Sequence, residues 1–484
     1  MSGPKRELPV VYSPGVETNA EQSHATKGLV RLTMACNERC PFCNVPMEDY
    51  PERHTPEAEL DAAVTRFAAE GEKTLTISGG EPTLLRDRLL ALARRARAAG
   101  IELIEVQTNA TLIDVAYATD LAEAGVTSAF VSLLSDLPEL HDELAGLAGA
   151  FEPCLTGIDA LLDAGIRVAL NPVVAASTQA RLPDYVDFVA RRLPRVRSIS
   201  VSAVQPHGRA SSRPELLPDY AVLGPAIREA RHRAEAAGIE LLNPYCGVPV
   251  CVGWEDALER SVEAIEAREA GQRDESAPGV VNRGDKRHGP PCDPCVHRGR
   301  CGGAWHAYWA HRAGSGLAPT ARVFDPFSGR PPSPLESVVD AQRLDGRAER
   351  DLAAADRPAV WLRLARLVRG DGERARRAGC THLALCLSPS DLVVGEEAYL
   401  ELLAIDREGR RGLPQHRLRV SLGLRPDTSP RRMVRALFAA SAAGIGEVRL
   451  LSRDHRRWSS LLQGVERSLP RLDVALVAPP EPDR

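Results

Sequence analysis

Lysine is almost missing from this chain. The only lysines are Lys5, Lys27, Lys73 and Lys286, and arginine carries the rest of the positive charge. Net charge is −4, so no overall basic field draws the protein to nucleic acid or to an anionic membrane. No apolar run reaches membrane-spanning length, and the first 27 residues are polar, without an apolar targeting core. These absences predict a cytoplasmic protein with no membrane partner. There is no Walker loop, no Gly-x-Ser-x-Gly elbow and no His-Glu-x-x-His zinc motif, so hydrolase readings have nothing to rest on. No recognised RNA-binding motif is present either. The arginine-dense stretch 363–377 therefore reads as a solvated helix face rather than an RNA-touching helix.

What the chain does have is cysteine, eleven in 484 residues. Eight fall in tight groups: Cys36, Cys40 and Cys43; Cys246 and Cys251; Cys292, Cys295 and Cys301. A disulfide framework belongs to an oxidising compartment and usually to a small secreted domain. A hydrophobic content of 44% over this length instead supports a large core in two or three domains. Grouped thiols in such a protein read as metal ligands in a reducing cytoplasm. Cys154, Cys380 and Cys386 stand apart and read as small buried hydrophobes.

Strand-like and helix-like runs alternate from residue 28 to about 205. Strand candidates are 29–34, 74–78, 102–107, 128–133, 167–173 and 198–204. Between the first two, Thr55 suits a helix cap, Pro56 the first helical position, and Leu60, Val64 and Phe67 one apolar face ending before Gly71. Residues 84–99 make another amphipathic helix, ended by Gly100. Repeated strand–helix units imply parallel pairing with right-handed crossovers. The expected fold is α/β: a partial (β/α)6, TIM-like barrel, then a cysteine-rich segment and a small C-terminal α/β domain. Leu75 and Ile77 should face the helices, leaving Thr76 and Ser78 inward, with Gln107, Ser132 and Asn171 placing polar groups near strand ends.

The expected organisation is a polar extension over 1–27, the barrel over 28–210, a connecting helix with the cysteine-rich segment over 211–312, a Pro- and Gly-rich linker over 313–350, and the C-terminal domain over 351–484. The connecting helix falls near 219–237, and 269–288 is a polar stretch. The last domain carries strand-like 381–388, 417–424, 447–451 and 473–477, with helix-like 431–443 and 458–469.

Taken bare, Cys36-x3-Cys40-x2-Cys43 fits zinc or an iron–sulfur cluster. Its context is more specific. The cysteines follow the first strand, Phe42 precedes the third, and Gly79-Gly80-Glu81-Pro82 ends the next strand. This pairing resembles the radical S-adenosylmethionine (radical SAM) enzymes over residues 28 to about 205. The resemblance implies that Cys36, Cys40 and Cys43 hold three irons of a [4Fe–4S] cluster, whose fourth iron takes the amino and carboxylate groups of SAM. It implies that Gly79, Gly80 and Glu81 meet the methionyl ammonium and that the main chain around Phe42 meets adenine. A reductant such as flavodoxin or ferredoxin would serve as partner. Asn109 resembles the family's Thr-Asn-Gly strand end, with Ala110 in place of glycine. Ser132 resembles a position near the ribose or methionyl carboxylate, and Asn171 is a further candidate. For these three, a satisfied polar residue lining the lumen competes with direct SAM contact. His141-Asp142 also occurs in the family, but a solvated helix start explains it without a catalytic role.

Cys292-x2-Cys295-x5-Cys301 with Gly302-Gly303, together with Cys246-x4-Cys251 upstream, resembles the SPASM and twitch extensions that hold auxiliary [4Fe–4S] clusters. The match departs from the full pattern, because Trp305 stands where a further cysteine is expected. Five thiols favour one auxiliary cluster, held by Cys292, Cys295, Cys301 and either Cys246 or Cys251. A tetrahedral zinc knot fits the same spacing. His288, His297 and His306 read as solvated, and Trp305, Tyr308 and Trp309 as packing of this module. The function implied is reductive SAM cleavage coupled to modification of a substrate, a peptide first and a small molecule second. A non-catalytic metal or redox module on the same scaffold is the reading from another class.

Overall fold

The structure is a computed structural model that describes residues 27–265, 286–321, 325–327, 331–411, 418–425, 429–445, 447–452 and shorter stretches up to 477. The polar extension, most of the 269–288 stretch and most of the helix expected at 458–469 lie outside the described residues. Contacts divide the chain into two compact units. The first holds the described residues up to Val262, with Lys286 and Ala304–Leu317. The second holds Glu263–Ile265, Arg287–Gly303 and the described residues from Ala318 onward.

In the first unit, seven parallel strands lie in sequence order: β1 (Lys27–Thr33), β2 (Thr74–Gly79), β3 (Leu103–Thr108), β4 (Ser128–Val131), β5 (Arg167–Leu170), β6 (Ser198–Ser200) and β7 (Glu240–Leu242). Helices join them: α1 (Glu57–Ala69), α2 (Arg86–Ala98), α3 (Val115–Glu123), α4 (Pro138–Ala145), α5 (Phe151–Asp163), α6 (Leu182–Arg192) and α7 (Tyr220–Ala236). This is the expected partial barrel with one more strand than the six read from sequence. Leu75 and Ile77 are fully buried on the helix side, while Thr76 borders a cavity on the other. Alternation therefore sorts the strands as expected. One local expectation fails. Thr55 does not cap α1; its hydroxyl donates to the Arg31 carbonyl at 2.5 Å, and Pro56 takes the cap position.

The second unit carries six parallel strands, also in sequence order: β10 (Glu336–Ala341), β11 (Ala359–Leu364), β12 (His382–Leu387), β13 (Arg419–Leu424), β14 (Glu447–Leu451) and β15 (Asp473–Val477). Between β7 and β10 in sequence come the short strands β8 (Lys286–Arg287) and β9 (Ala304–Trp305), the latter belonging to the first unit. The region expected as a linker, 313–350, thus contains β10 and the start of helix Gly346–Ala354. The arginine-dense 363–377 is not one helix. Arg363 lies on β11 and pairs with Asp340, and a separate helix covers Asp371–Arg377. Among the described residues no helix is long and apolar enough to cross a membrane.

Candidate active site at the strand ends of the first sheet

The chain leaves β1 into the loop bearing Cys36, Cys40 and Cys43, and leaves β2 into Gly79-Gly80-Glu81. Backbone hydrogen bonds lock the two together: Gly80 N–H donates to the Thr33 carbonyl at 2.6 Å and Glu81 N–H to the Ala35 carbonyl at 2.8 Å. Both glycines are needed for this approach. Gly79 has φ +146°, and a Cβ there would stand 1.9 Å from the Thr33 oxygen. At Gly80 a Cβ would stand 2.3 Å from the Ala35 oxygen, so a side chain at either position would push the cysteine loop away.

Cys36, Cys40, Cys43 and Phe42 line one cavity of about 190 Å³ together with Gly79, Gly80, Glu81, Asn109, Ser132 and Asn171. Burial pushes the Cys36 thiol up to about 12, partly offset by the Glu38 N–H that donates to its sulfur. Cys40 is held well above its ordinary value and Cys43 is raised, in both cases first by burial. Alone, then, the three thiols stay protonated; a bound cation is what would favour thiolates here. Among the described residues no three His, Cys, Asp or Glu side chains converge closely enough to grip a metal as they stand.

Glu81 is spent inside the protein. Its Oε1 accepts from Thr83 N (3.0 Å), Thr83 Oγ1 (2.6 Å) and Thr108 Oγ1 (2.8 Å), and its Oε2 from Asn109 N at 2.7 Å. Four donors use the carboxylate's usual acceptor capacity, so the side chain braces the ends of β2 and β3. Asn109 is similarly engaged: Nδ2 donates to Asn37 at 2.9 Å, while Oδ1 accepts from the Thr111 hydroxyl at 2.8 Å. For Asn109 the satisfied-lining reading fits the geometry. Asn171 differs, since its Oδ1 is buried and accepts no hydrogen bond among the described residues.

Two residues that sequence reasoning missed complete the loop. Glu38 is buried, and burial followed by the nearby Glu81 raises its carboxyl to about 7. The Cys40 thiol donates to it at 3.5 Å. Arg209 reaches back from beyond β6: Nη1 donates to the Cys40 carbonyl at 3.0 Å, and Nε and Nη2 fork onto Glu48 at 2.6 and 2.7 Å. His141 of the His141-Asp142 pair is not solvated. It is 1% exposed and lowered by burial to about 4, and Nδ1 accepts from Leu134 N at 3.2 Å.

A second cavity of about 350 Å³ continues into the lumen, lined by Thr76, Glu105, Gln107, Ser200, Ser202, Gln205 and Cys246 besides Cys40, Cys43 and Phe42. Cys246 and Cys251 thus belong to the first unit, and Cys292, Cys295 and Cys301 to the second. Those last three are 6–8% exposed. A tight turn joins them, with Cys295 N donating to the Cys292 carbonyl at 3.1 Å and Gly303 N to Cys301 Sγ at 3.3 Å. His288 hydrogen-bonds the Cys301 carbonyl at 2.8 Å, and His297 is buried rather than solvated. Trp305 packs edge-on against His207 at 5.2 Å and Tyr308 stacks on Tyr220 at 3.9 Å, in line with a packing role. Cys154 and Cys380 are buried, and Cys386 is half-buried.

Comparison with known proteins gives the same region. Residues 30–189 match the Radical SAM superfamily. The AdoMet-dependent heme synthase of Oleidesulfovibrio alaskensis is 35% identical over 160 residues, 32% of this chain and 39% of that protein. The PqqA peptide cyclase of Rhizobium meliloti is 29% identical over 190 residues, 39% of this chain and 50% of that protein. Among solved structures, Streptococcus suis SuiB bound to S-adenosylmethionine aligns over 44% of this chain and 49% of its own at 20% identity, with a TM-score of 0.38. The chain spans about half or less of the curated relatives it matches. The cysteine loop and the Gly-Gly-Glu turn both fall inside the residues that match the Radical SAM superfamily.

Proposed function

We propose that this chain is a radical SAM enzyme that modifies a peptide. The observation that carries the reading is the shared cavity: three thiols of one eight-residue loop and the Gly79-Gly80-Glu81 turn border the same space. Three soft donors on one loop fit an iron–sulfur cluster, with Cys36, Cys40 and Cys43 as its ligands. Bound there, a [4Fe–4S] cluster supplies the electron that cleaves SAM to methionine and a 5′-deoxyadenosyl radical. The chain's own residues hold and orient. Gly79 and Gly80 bring backbone carbonyls toward the methionyl ammonium, while Glu81 keeps that backbone in place through its four hydrogen bonds. Phe42 and Ser132 border the nucleoside, and Asn171 offers its unmet oxygen to a donor. The half-buried loop and the cavity wall limit the access of water to the reacting groups.

Cys292, Cys295 and Cys301 are the proposed ligands of an auxiliary [4Fe–4S] cluster, and a small reductant such as flavodoxin or ferredoxin is the proposed electron source. Peptide maturation follows from the likeness to PqqA peptide cyclase and from the SPASM-like cysteine pattern. A small-molecule substrate is the second reading, favoured by the likeness to the heme synthase.

The test is anaerobic reconstitution followed by dithionite and SAM. 5′-Deoxyadenosine should form and should fall to background in Cys36→Ala, Cys40→Ala and Cys43→Ala. Iron analysis should return about eight irons per chain for two [4Fe–4S] clusters; about four irons and one zinc would remove the auxiliary cluster alone. Persistent 5′-deoxyadenosine release in the cysteine variants would refute the enzymatic reading.

A further inference from the structure

We infer that the lumen beyond the cysteine loop recognises a nitrogen cation, a primary amine or guanidinium, rather than a phosphate or carboxylate. The inference rests on the enzymatic reading above and specifies its substrate. A cavity of about 350 Å³ is large enough for one long side chain or a small ligand. Its described lining holds one charged side chain, Glu105, among neutral hydrogen-bonding groups. Glu105 is 8% exposed, and the Thr76 hydroxyl donates to its Oε1 at 3.2 Å.

Two buried polar atoms in the same wall lack partners, a hydroxyl that can donate or accept and an amide oxygen that accepts. Ser200 is 0% exposed, and its Oγ has no hydrogen-bond partner among the described residues. Asn171 Oδ1 is likewise buried and unmet. A buried polar atom without a partner is costly, so these atoms favour a ligand that satisfies them. Nearby cations are turned elsewhere. Lys286 Nζ donates to the Tyr245 carbonyl at 2.8 Å and lies 4.9 Å over the Trp305 ring. Arg209 is forked onto Glu48. Arg31 shares a register row with Ser78 but does not line the cavity.

A phosphate or carboxylate entering this space would bring like charge to Glu105 where water screens poorly. An ammonium or guanidinium instead gains charge-assisted hydrogen bonds to Glu105, with Ser200 accepting a further N–H group. In a peptide substrate, the natural bearer of such a group is a lysine or arginine side chain.

The experiment measures binding of agmatine, glutarate and inorganic tripolyphosphate to the reconstituted full chain by calorimetry. Agmatine should bind saturably, and both anions at least about tenfold more weakly. Glu105→Gln, which can still accept from Thr76, should weaken agmatine by about tenfold or more, the worth of a hydrogen bond to a charged group. Ser200→Ala should weaken it by about threefold or more. Absence of agmatine binding to the wild type overturns the inference, as does anion binding of equal or greater strength. Unchanged agmatine affinity in a folded Glu105→Gln does the same. If that variant fails to fold, Ser200→Ala decides, and unchanged affinity there overturns the inference. Failure of the wild type to release 5′-deoxyadenosine would sink the enzymatic reading and leave these binding results standing.

Discussion

The two sheets share a plan and differ in what fills them. Both are wholly parallel and run in sequence order, seven strands in the first unit and six in the second. In the first, the inward positions are Thr76, Glu105, Gln107, Ser132, Asn171 and Ser200, and they border a cavity. In the second, one face is apolar and the other mixed, with Arg363, His382 and Ser421 beside Trp361 and Ala384. Val360, Leu362, Leu383 and Leu385 meet the helices, while Trp361 and Ala384 pack with Val296 and Phe327. A Cβ at Gly423 would stand 2.5 Å from Phe327 Cε1, so the ring lies directly on the sheet. One topology thus borders a cavity in the first unit and a filled, mixed face in the second, and alternate residues along each strand make the difference.

The sharpest way to break this contrast is to empty each sheet at an aromatic. Trp361 is 1% exposed and stacks on His382 at 4.5 Å. Trp361→Ala should cost about 3–5 kcal/mol, the range for a fully buried aromatic. Phe130 already borders a cavity and is half-buried, so Phe130→Ala should cost less than about half as much. Chemical denaturation of the two variants checks the order. Equal costs would mean that the first sheet is packed as tightly as the second.

A smaller effect tests the packing behind the first sheet. Burial lowers His141 to about 4 in the folded state, against 6.5 as the ordinary value. The unfolded chain therefore binds more protons between those values, and folding gains stability as pH rises through the window. The contribution is complete above about pH 6.5 and is lost as pH falls toward 4, to the extent of about 3 kcal/mol. His141→Gln should flatten the stability–pH curve by that amount between pH 6.5 and 4. An unchanged difference between wild type and variant across the window would show that the ring is not held neutral.

The contrast also explains what could be read in advance. Six strands of the first sheet were legible because β2 and its neighbours alternate strictly and end in motifs. The seventh, Glu240–Leu242, is three residues long and leaves no period to detect. In the second unit β10 is an edge strand, largely half-exposed, and sits beside Pro- and Gly-rich sequence, so it read as linker. Arginine density masked the end of β11 in the same way, since Arg363 is there for its Asp340 partner. At the site, cysteines and glycines announce themselves by spacing. Glu38 looks like a surface residue between two cysteines until the fold buries it. Arg209 meets the Cys40 carbonyl from 169 residues away, a distance no local pattern encodes.

The finest test concerns Ala110, just beyond the end of β3. Ala110 holds φ +60°, in the left-handed region where an alanine is strained, and is 0% exposed. Its neighbours enforce that shape: Ala110 N–H donates to Thr108 Oγ1 at 2.9 Å, and its carbonyl packs against Gly157, where a Cβ would stand 2.1 Å away. Ala110→Gly should relieve about 1–2 kcal/mol of backbone strain while giving up about 0.8 kcal/mol of buried methyl. The expected result is a gain of under about 1 kcal/mol in denaturation, with Asn109 still bonded to Asn37. A loss of stability larger than the methyl's worth would mean that the methyl itself holds α5 in register with the end of β3, and that alanine is there for packing rather than tolerated in place of glycine.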